Sequence, residues 1–504
     1  MRRTHFILAL LVVACYLARA QAAALEERRL SLEECIRLAL EHNLEIKISR
    51  YEPDLARYNI GISYSDYDPV LDLVGSTASR QSPGEFDPRI GVIPGTTSDT
   101  DSFNASLGGL LPTGLTYQLF GNAAETSGTR FTPALTNIVG LPFDSTTAST
   151  GITLRQPLLK NFWIDGTRLN IAVSKNRLKY SELTLRLTIM STVLAVETAY
   201  YNLIQAREDV RNQEKALELA ERSLAENKKR VEVGAMAQLD EKQAASEAAQ
   251  RRADVISAQS TLATQMHIMK ALITENYPEW NQVDLHPSED LAAIPQAFDV
   301  QLSWQRGLSQ RPEILQSRLD VERQGIVLRY QYNQLFPQLD VFGSFGFVGS
   351  KREYSGAFGD IGDRNSPFHT VGGELRIPLG NGAARNNYKI GKANKEQLLL
   401  RLKQLEKNTM VEIDDAVKRA QSAFESVDAT KQAREFAEAA LDAEQKKLEN
   451  GKSTSFVVLR LQRDLTFART SEIRALGDYN KALSQLSFVE GSTLDRRGLK
   501  VEVK

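Results

Sequence analysis

Between Gly166 and Tyr277 the chain has no proline and a single interior helix stop, Gly234. In the first arm of this stretch Ile189, Val196, Leu203, Val210, Leu217, Leu224 and Val231 recur at strict seven-residue spacing, the period of helices that pack along a supercoiled seam rather than in a compact globule. At about 1.5 Å per residue that arm would reach roughly 100 Å, far beyond the core of an ordinary domain. The chain must therefore fold around a rod that turns back at one glycine.

Composition narrows the possible roles. The 504 residues are 42% hydrophobic and 25% charged, with a net charge of -1. There is no basic surplus or Lys/Arg-rich run to meet a phosphate backbone, so nucleic acid is not an expected partner. At the N-terminus Arg2 and Arg3 precede an apolar run from Phe6 to Ala14, and Ala18-Arg19-Ala20 forms a small-x-small cleavage site. Residues 1–20 thus read as a secretory signal. A second reading takes Val12-Val13-Ala14-Cys15 as a lipobox that would leave Cys15 as a lipidated N-terminus. No later segment approaches 18 uninterrupted apolar residues, so no transmembrane helix is expected. Once Cys15 is removed, Cys35 is the only thiol, which leaves no internal disulfide and no cysteine metal site.

Ser31-Leu32-Glu33-Glu34 is a helix-start box ahead of Ile36, Leu38, Ala39 and Leu40, and a second helical piece is expected from Glu45 to Tyr64. After Pro69 the pattern changes to period 2. The segment from Leu40 to Ser76 then recurs from Leu308 to Ser344 without a gap, at an offset of 268, with pairs such as Glu45/Glu313, Ile46/Ile314, Arg50/Arg318, Pro69/Pro337, Asp72/Asp340 and Gly75/Gly343. The helical arms repeat at an offset of 217, through Ala216/Ala433, Glu221/Glu438, Leu224/Leu441, Gly234/Gly451 and Ala258/Ala475. The chain is a tandem duplication, each half reading helix, strands, long helix, glycine turn, returning helix. Gly166 to Gly234 is 68 residues and Gly382 to Gly451 is 69. The two turns are therefore expected at one level, which implies a common functional plane.

The strand segments alternate apolar and polar residues. Leu339, Val341, Gly343, Phe345 and Phe347 oppose Asp340, Phe342, Ser344 and Gly346, and Leu115, Tyr117 and Leu119 oppose Thr116, Gln118 and Phe120. A soluble half-buried sheet has the same alternation. The connections favour an outer-membrane barrel: long polar loops are expected over 81–101, 124–150 and 349–369, against a tight turn at Leu111-Pro112-Thr113-Gly114. Four strand candidates fall in the first half (about 70–79, 102–110, 115–121 and 150–156) and two in the second.

With these motifs in place the chain resembles the TolC-like outer-membrane efflux channel family. The resemblance rests on Leu32-Glu33-Glu34 through Leu40, Gln156-Pro157-Leu158, Val231-Glu232-Val233-Gly234 with Leu239-Asp240, Arg311-Pro312-Glu313-Ile314 and Phe336-Pro337-Gln338-Leu339. It implies an α+β membrane protein: a homotrimeric outer-membrane β-barrel continuing into a long periplasmic α-helical barrel. The expected organisation is a signal peptide over 1–20 and a first repeat over 25–275, with strands in about 70–156 and a helical hairpin over 166–275. A linker over 276–300 leads to a second repeat over 301–492, with strands in about 339–379 and a hairpin over 382–490, then a tail over 493–504. If all six strand candidates cross the membrane, a trimer has eighteen strands. If the hairpin around Leu111–Gly114 stays outside the barrel it has the family's twelve, and a girth set by the helical barrel leans toward twelve.

The resemblance also implies partners: outer-membrane lipid, a periplasmic adaptor and an inner-membrane transporter. The adaptor would dock at the tip, where Val233, Gly234, Ala235 and Met236 flank the first turn and Asn450, Gly451, Lys452 and Ser453 the second. The family's entrance is often closed by acidic residues just after the second turn, but Val457 and Arg460 occupy those positions here. The entrance is therefore expected at Val457 and Arg460, with Asp240 the nearest acid after the first turn; an ordinary surface arginine is the alternative for Arg460.

No enzyme is indicated. Gly451-Lys452-Ser453-Thr454 imitates the end of a phosphate loop, but Lys446 stands where the loop needs glycine. The five histidines lack metal-ligand spacing and there is no nucleophile motif, so no cofactor or metal is expected. The expected function is an outer-membrane duct of a tripartite efflux or type I secretion system. The alternative is a periplasmic coiled-coil adaptor or structural rod without a pore.

Overall fold

The computed structural model describes residues 26–133, 138–234 and 236–499. The signal segment, Cys15, Ala235 and the last five residues of the tail lie outside the described residues. The elements run β1 (Glu26–Leu30), α1 (Leu32–His42), α2 (Leu44–Tyr64), β2 (Val70–Gln81), β3 (Glu85–Asp87), β4 (Gly91–Ile93), β5 (Thr97–Leu110), β6 (Thr116–Pro133) and β7 (Ile138–Pro157). Then come α3 (Gly166–Glu232), α4 (Gln238–Ile273), α5 (Tyr277–Trp280), β8 (Val283–Pro287), α6 (Val300–Gln310), α7 (Pro312–Asn333), β9 (Gln338–Lys351), α8 (Tyr354–Gly362), β10 (Pro367–Arg376), α9 (Gly382–Glu449), α10 (Ser455–Val489) and α11 (Thr493–Arg496). The order of helix pair, strands and long hairpin occurs twice, as the two offsets require. The chain divides into two compact units, one of residues up to 53, 180–318 and from 401 on, the other of 54–179 and 319–400.

The first unit holds the helical core. The Ser31 capping box forms as its sequence predicts, with Ser31 N–H donating to Glu34 Oε2 at 2.8 Å and Glu34 N–H to Ser31 Oγ at 3.2 Å. It starts α1 so that Leu32, Cys35, Ile36 and Ala39 face inward, against Ile189, Val193, Val196, Tyr200 and Leu203 of α3, Met269 and Ile273 of α4, and Val283 and Leu285 of β8. Burial pushes the Cys35 thiol up to about 12, so it is an inert core residue. The seven-residue seam is buried from Ile189 through Val210 but only half-buried at Leu217, Leu224 and Val231. The distal half of that seam still has apolar surface for a neighbour to cover.

The segment expected as a plain linker is structured. β8 pairs in parallel with β1, Arg207 Nε donates to Leu285 O at 2.9 Å, and Tyr479 Oη donates to Ile294 O at 2.6 Å. Backbone carbonyls of the link are satisfied by side chains of both hairpins, which straps it to them.

The second unit is built on one antiparallel sheet in the order β10-β9-β7-β6-β5-β2. The four first-half strands and the two second-half strands thus form one continuous ladder. The hairpin around Leu111–Gly114, which the twelve-strand reading sets outside the barrel, is part of this sheet: β5 pairs with β2 and β6 with β7 along their lengths. The physical reason is that removing the hairpin would open two further strand edges. The strands are also longer than their alternation suggests. Residues 124–133 and 138–150, expected as loop, continue β6 and β7, because these Thr- and Ser-rich stretches carry no period-2 signal while their backbone pairing persists. The expected loop over 349–369 contains α8, seated by Ala357 against Ala123 and Ala148.

Candidate functional site

Two features in the described residues have the chemistry of a conduit: the two-faced sheet and the paired helix turns. The ladder places Leu71, Leu107, Leu119, Ile152 and Phe345 side by side across five strands. The adjacent same-face row is Gly109, Tyr117, Leu154, Gly343 and Val371. On the opposite face stand Gly108, Gln118, Thr153, Ser344 and Thr370 in one row and Asn104, Asn122 and Ser149 in another. That face also carries Arg155, which donates to Asp340 at 3.0 Å and Glu374 at 2.8 Å. One face suits lipid and the other water. Tight pairing across both faces uses a ring over a glycine: a side chain at Gly109 would strike Tyr117 at 2.7 Å, and one at Gly372 would strike Phe342 at 2.7 Å.

The expected asymmetry of connections is met in part, since the long loop expected over 124–150 is mostly strand. Gly114 has φ +83°, and its N–H donates to Leu111 O at 2.8 Å. The register puts this turn at the same end of the sheet as the connections to α2, α3 and α9; the other end carries the longer connections from β2 to β5 and from β9 through α8 to β10, while only residues 134–137 separate β6 from β7.

The second feature lies in the first unit. Helices α3 and α9 end at Gly234 (φ +74°) and Gly451 (φ +69°). Gly451 N–H donates to Leu448 O at 3.0 Å and Lys452 N–H to Lys447 O at 2.8 Å, the two bonds of a Schellman cap; Gly234 N–H makes the matching bond to Val231 O at 3.0 Å. A Cβ at either glycine would meet nothing within 4 Å, so the backbone conformation and not space demands glycine. Gly451→Ala is therefore expected to cost about 1 kcal/mol with no packing change, from the left-handed conformation alone; thermal melts of the detergent-solubilised protein check this, with Gly451→Asn falling between.

Of the residues expected at the tip, Val233 is 78% exposed, Asn450 and Lys452 are exposed, and Met236 and Ser453 are half-buried. Among the described residues no hydrogen bond or ion pair joins the entrance candidates Asp240, Val457 and Arg460. Asp240 sits in the first turn of α4, where a carboxylate complements the helix dipole. Val457 is half-buried while its neighbour Val458 packs with Leu441 and Leu465. Arg460 is exposed.

Sequence reasoning missed Glu444. It accepts from Ser453 Oγ at 2.5 Å and from Lys447 Nζ at 2.9 Å. The Ser453 hydroxyl, then Lys447, with Arg460 adding a weaker attraction, hold its carboxyl below the ordinary carboxylate range. An acid that feels Arg460 thus precedes the turn, where no motif marks it. Also missed was an ion pair that closes each hairpin: Arg252 to Glu221 at 2.9 Å in the first and Arg469 to Glu438 at 2.8 Å in the second. Both partners obey the 217 offset, so extending that register to Arg252/Arg469 would have found it. Between hairpins, Asn227 Nδ2 donates to Ser455 Oγ at 2.8 Å in a buried contact.

A two-faced antiparallel sheet with a tandem pair of long helical hairpins defines an outer-membrane channel of the helical-tunnel class. The chain matches the outer membrane efflux protein family over residues 135–273 and 304–492, more than half its length, and it belongs to that family. It is thus an outer-membrane channel of tripartite efflux, reaching into the periplasm. Outer membrane efflux protein BepC of Brucella suis biovar 1 (strain 1330) is 26% identical over 368 residues, 71% of this chain and 75% of that protein. The fold is shared with the Campylobacter jejuni CmeC outer membrane channel (TM-score 0.64, 16% identity, 92% of this chain and 86% of that one). It is also shared with the outer-membrane channel OprN (TM-score 0.67, 18% identity, 92% and 90%).

Proposed function

We propose that three copies of this chain form a passive export duct, coupled by a periplasmic adaptor to an inner-membrane transporter that supplies the energy, in efflux or type I secretion. The observation that carries this is the sheet: one apolar face, one polar face and two edges, β2 and β10, with no partner strand among the described residues. In lipid such edges must be paired, and other copies of the chain are the available strands. A second surface supports assembly. Leu44, Ile48, Tyr51, Leu55, Tyr58 and Ile62 of α2 alternate four and three residues apart and are each more than half exposed, a bare heptad stripe awaiting another helix. The rod without a pore leaves the sheet's apolar face unused.

The repeats over 25–275 and 301–492 each supply one hairpin, joined by the link over 276–300. The adaptor docks at the turn residues Val233, Gly234, Met236, Asn450, Gly451, Lys452 and Ser453; Ala235 lies outside the described residues. Asp240, Val457 and Arg460 line the entrance, with Glu444 beside Arg460 in place of an acidic ring. Reconstitution in planar bilayers tests the reading: discrete conductance from a heat-modifiable trimer is expected, and its absence favours the rod. In the same assay Arg460→Ala is expected to raise the cation preference severalfold, since a basic ring repels cations; unchanged selectivity would put Arg460 on the outer surface.

A further inference from the structure

We infer that the assembled barrel has eighteen strands, with β5 and β6 as membrane-spanning staves and with β2 of one copy sealed against β10 of the next. This rests on the threefold assembly proposed above and extends it: three copies of the six-stranded sheet make eighteen.

Three observations place the added hairpin in the wall. The first is the ladder, in which β2 reaches β7 only through β5 and β6, so the pair cannot leave without breaking the sheet. The second is facing. Leu107 and Leu119 of the hairpin stand in the same apolar row as Leu71 on one side and Ile152 and Phe345 on the other, while Ser106, Gln118 and Asn122 continue the polar face. A hairpin in water gains nothing from that match, whereas one in lipid requires it.

The third is girth. Within the same unit four helical segments lie side by side: Ser63 meets Ser174 at 2.8 Å between α2 and α3, Asn176 donates to Leu319 O at 3.1 Å between α3 and α7, and Gln324 donates to Gly391 O at 3.1 Å between α7 and α9. Four helices about 9–10 Å apart cover an arc of about 36–40 Å. Six strands about 4.8 Å apart and tilted about 40° cover about 38 Å, but four strands only about 25 Å. The arc of the helices thus accommodates six strands per copy, against the lean toward twelve that girth gives from the sequence. The consequence is a wide lumen whose added wall presents the uncharged polar side chains of Asn104, Ser106, Gln118 and Asn122, while the charges of that face include Asp72 of β2 and the Arg155, Asp340 and Glu374 group.

The test uses single spin-labelled cysteines in the full-length protein in lipid nanodiscs, at Leu107, Leu119, Ser106 and Gln118, with Phe345 and Ser344 as references; Cys35 is buried and stays unlabelled. The ratio of collision with oxygen to collision with a nickel chelate is expected to be as high at 107 and 119 as at 345, and severalfold lower at 106 and 118, as at 344. Water-like values at 107 and 119 with alternation kept at 344 and 345 overturn the inference and leave the channel intact. Loss of alternation at 344 and 345 as well defeats the channel reading itself. Should a labelled variant fail to assemble, a single-particle reconstruction of the unmodified protein decides by strand count: eighteen supports, twelve with residues 97–133 in water overturns.

Discussion

Arg497→Ala is expected to destabilise the helical unit by up to about 3 kcal/mol, the low end of the cost of stranding one member of a buried ion pair, since the Arg497 side chain is itself 32% exposed. Arg497 Nε donates to Glu197 Oε1 at 2.6 Å, and the Glu197 side chain is only 3% exposed. Without the guanidinium, the carboxylate on α3 is left in a site from which water is largely excluded. The charged form must then be desolvated without compensation, or take up a proton. Denaturant unfolding followed by far-UV circular dichroism measures the loss. Glu197→Gln combined with Arg497→Ala should recover most of it, because the amide carries no charge. A double variant as unstable as Arg497→Ala would show that the arginine acts through packing and not through the pair.

Leu119→Arg is expected to cost about 2–4 kcal/mol if Leu119 stands near the bilayer midplane. The residue is 44% exposed in a single chain and lies in the middle of the apolar row. An arginine there would have to reach the headgroups from the centre of a flat apolar face. Folding titrations into liposomes measure the effect, and Gln118→Arg on the polar face is the control, expected to fold normally and shift only ion selectivity. Equal tolerance of the two substitutions would mean that β6 has no lipid face.

Much of the architecture is written in local pattern. The proline-free arms, the seven-residue seam and the glycines at matched depth specify two long hairpins, because helix period and positive φ are properties of a few neighbouring residues. The capping box at Ser31 and the turn at Gly114 are legible for the same reason. The strand ends are not, since Thr- and Ser-rich segments such as 138–150 pair through backbone groups that every residue possesses. The candidate site divides the same way. The turn residues were found from spacing, but Glu444 was not, because its tie to Ser453 is made across a turn and has no sequence period.

By itself the sequence determined the duplication, the two folded-back rods and the alternation that suits a membrane sheet, since each follows from periodicity and offset along one chain. The tertiary structure alone decided how many strands share that sheet. Alternation shows that a strand has two faces but not which strand lies beside it; that depends on edges, register and the arc the helices occupy. Those are relations between residues far apart in the chain. They turn the Leu111–Gly114 hairpin from a loop beside the barrel into part of the sheet.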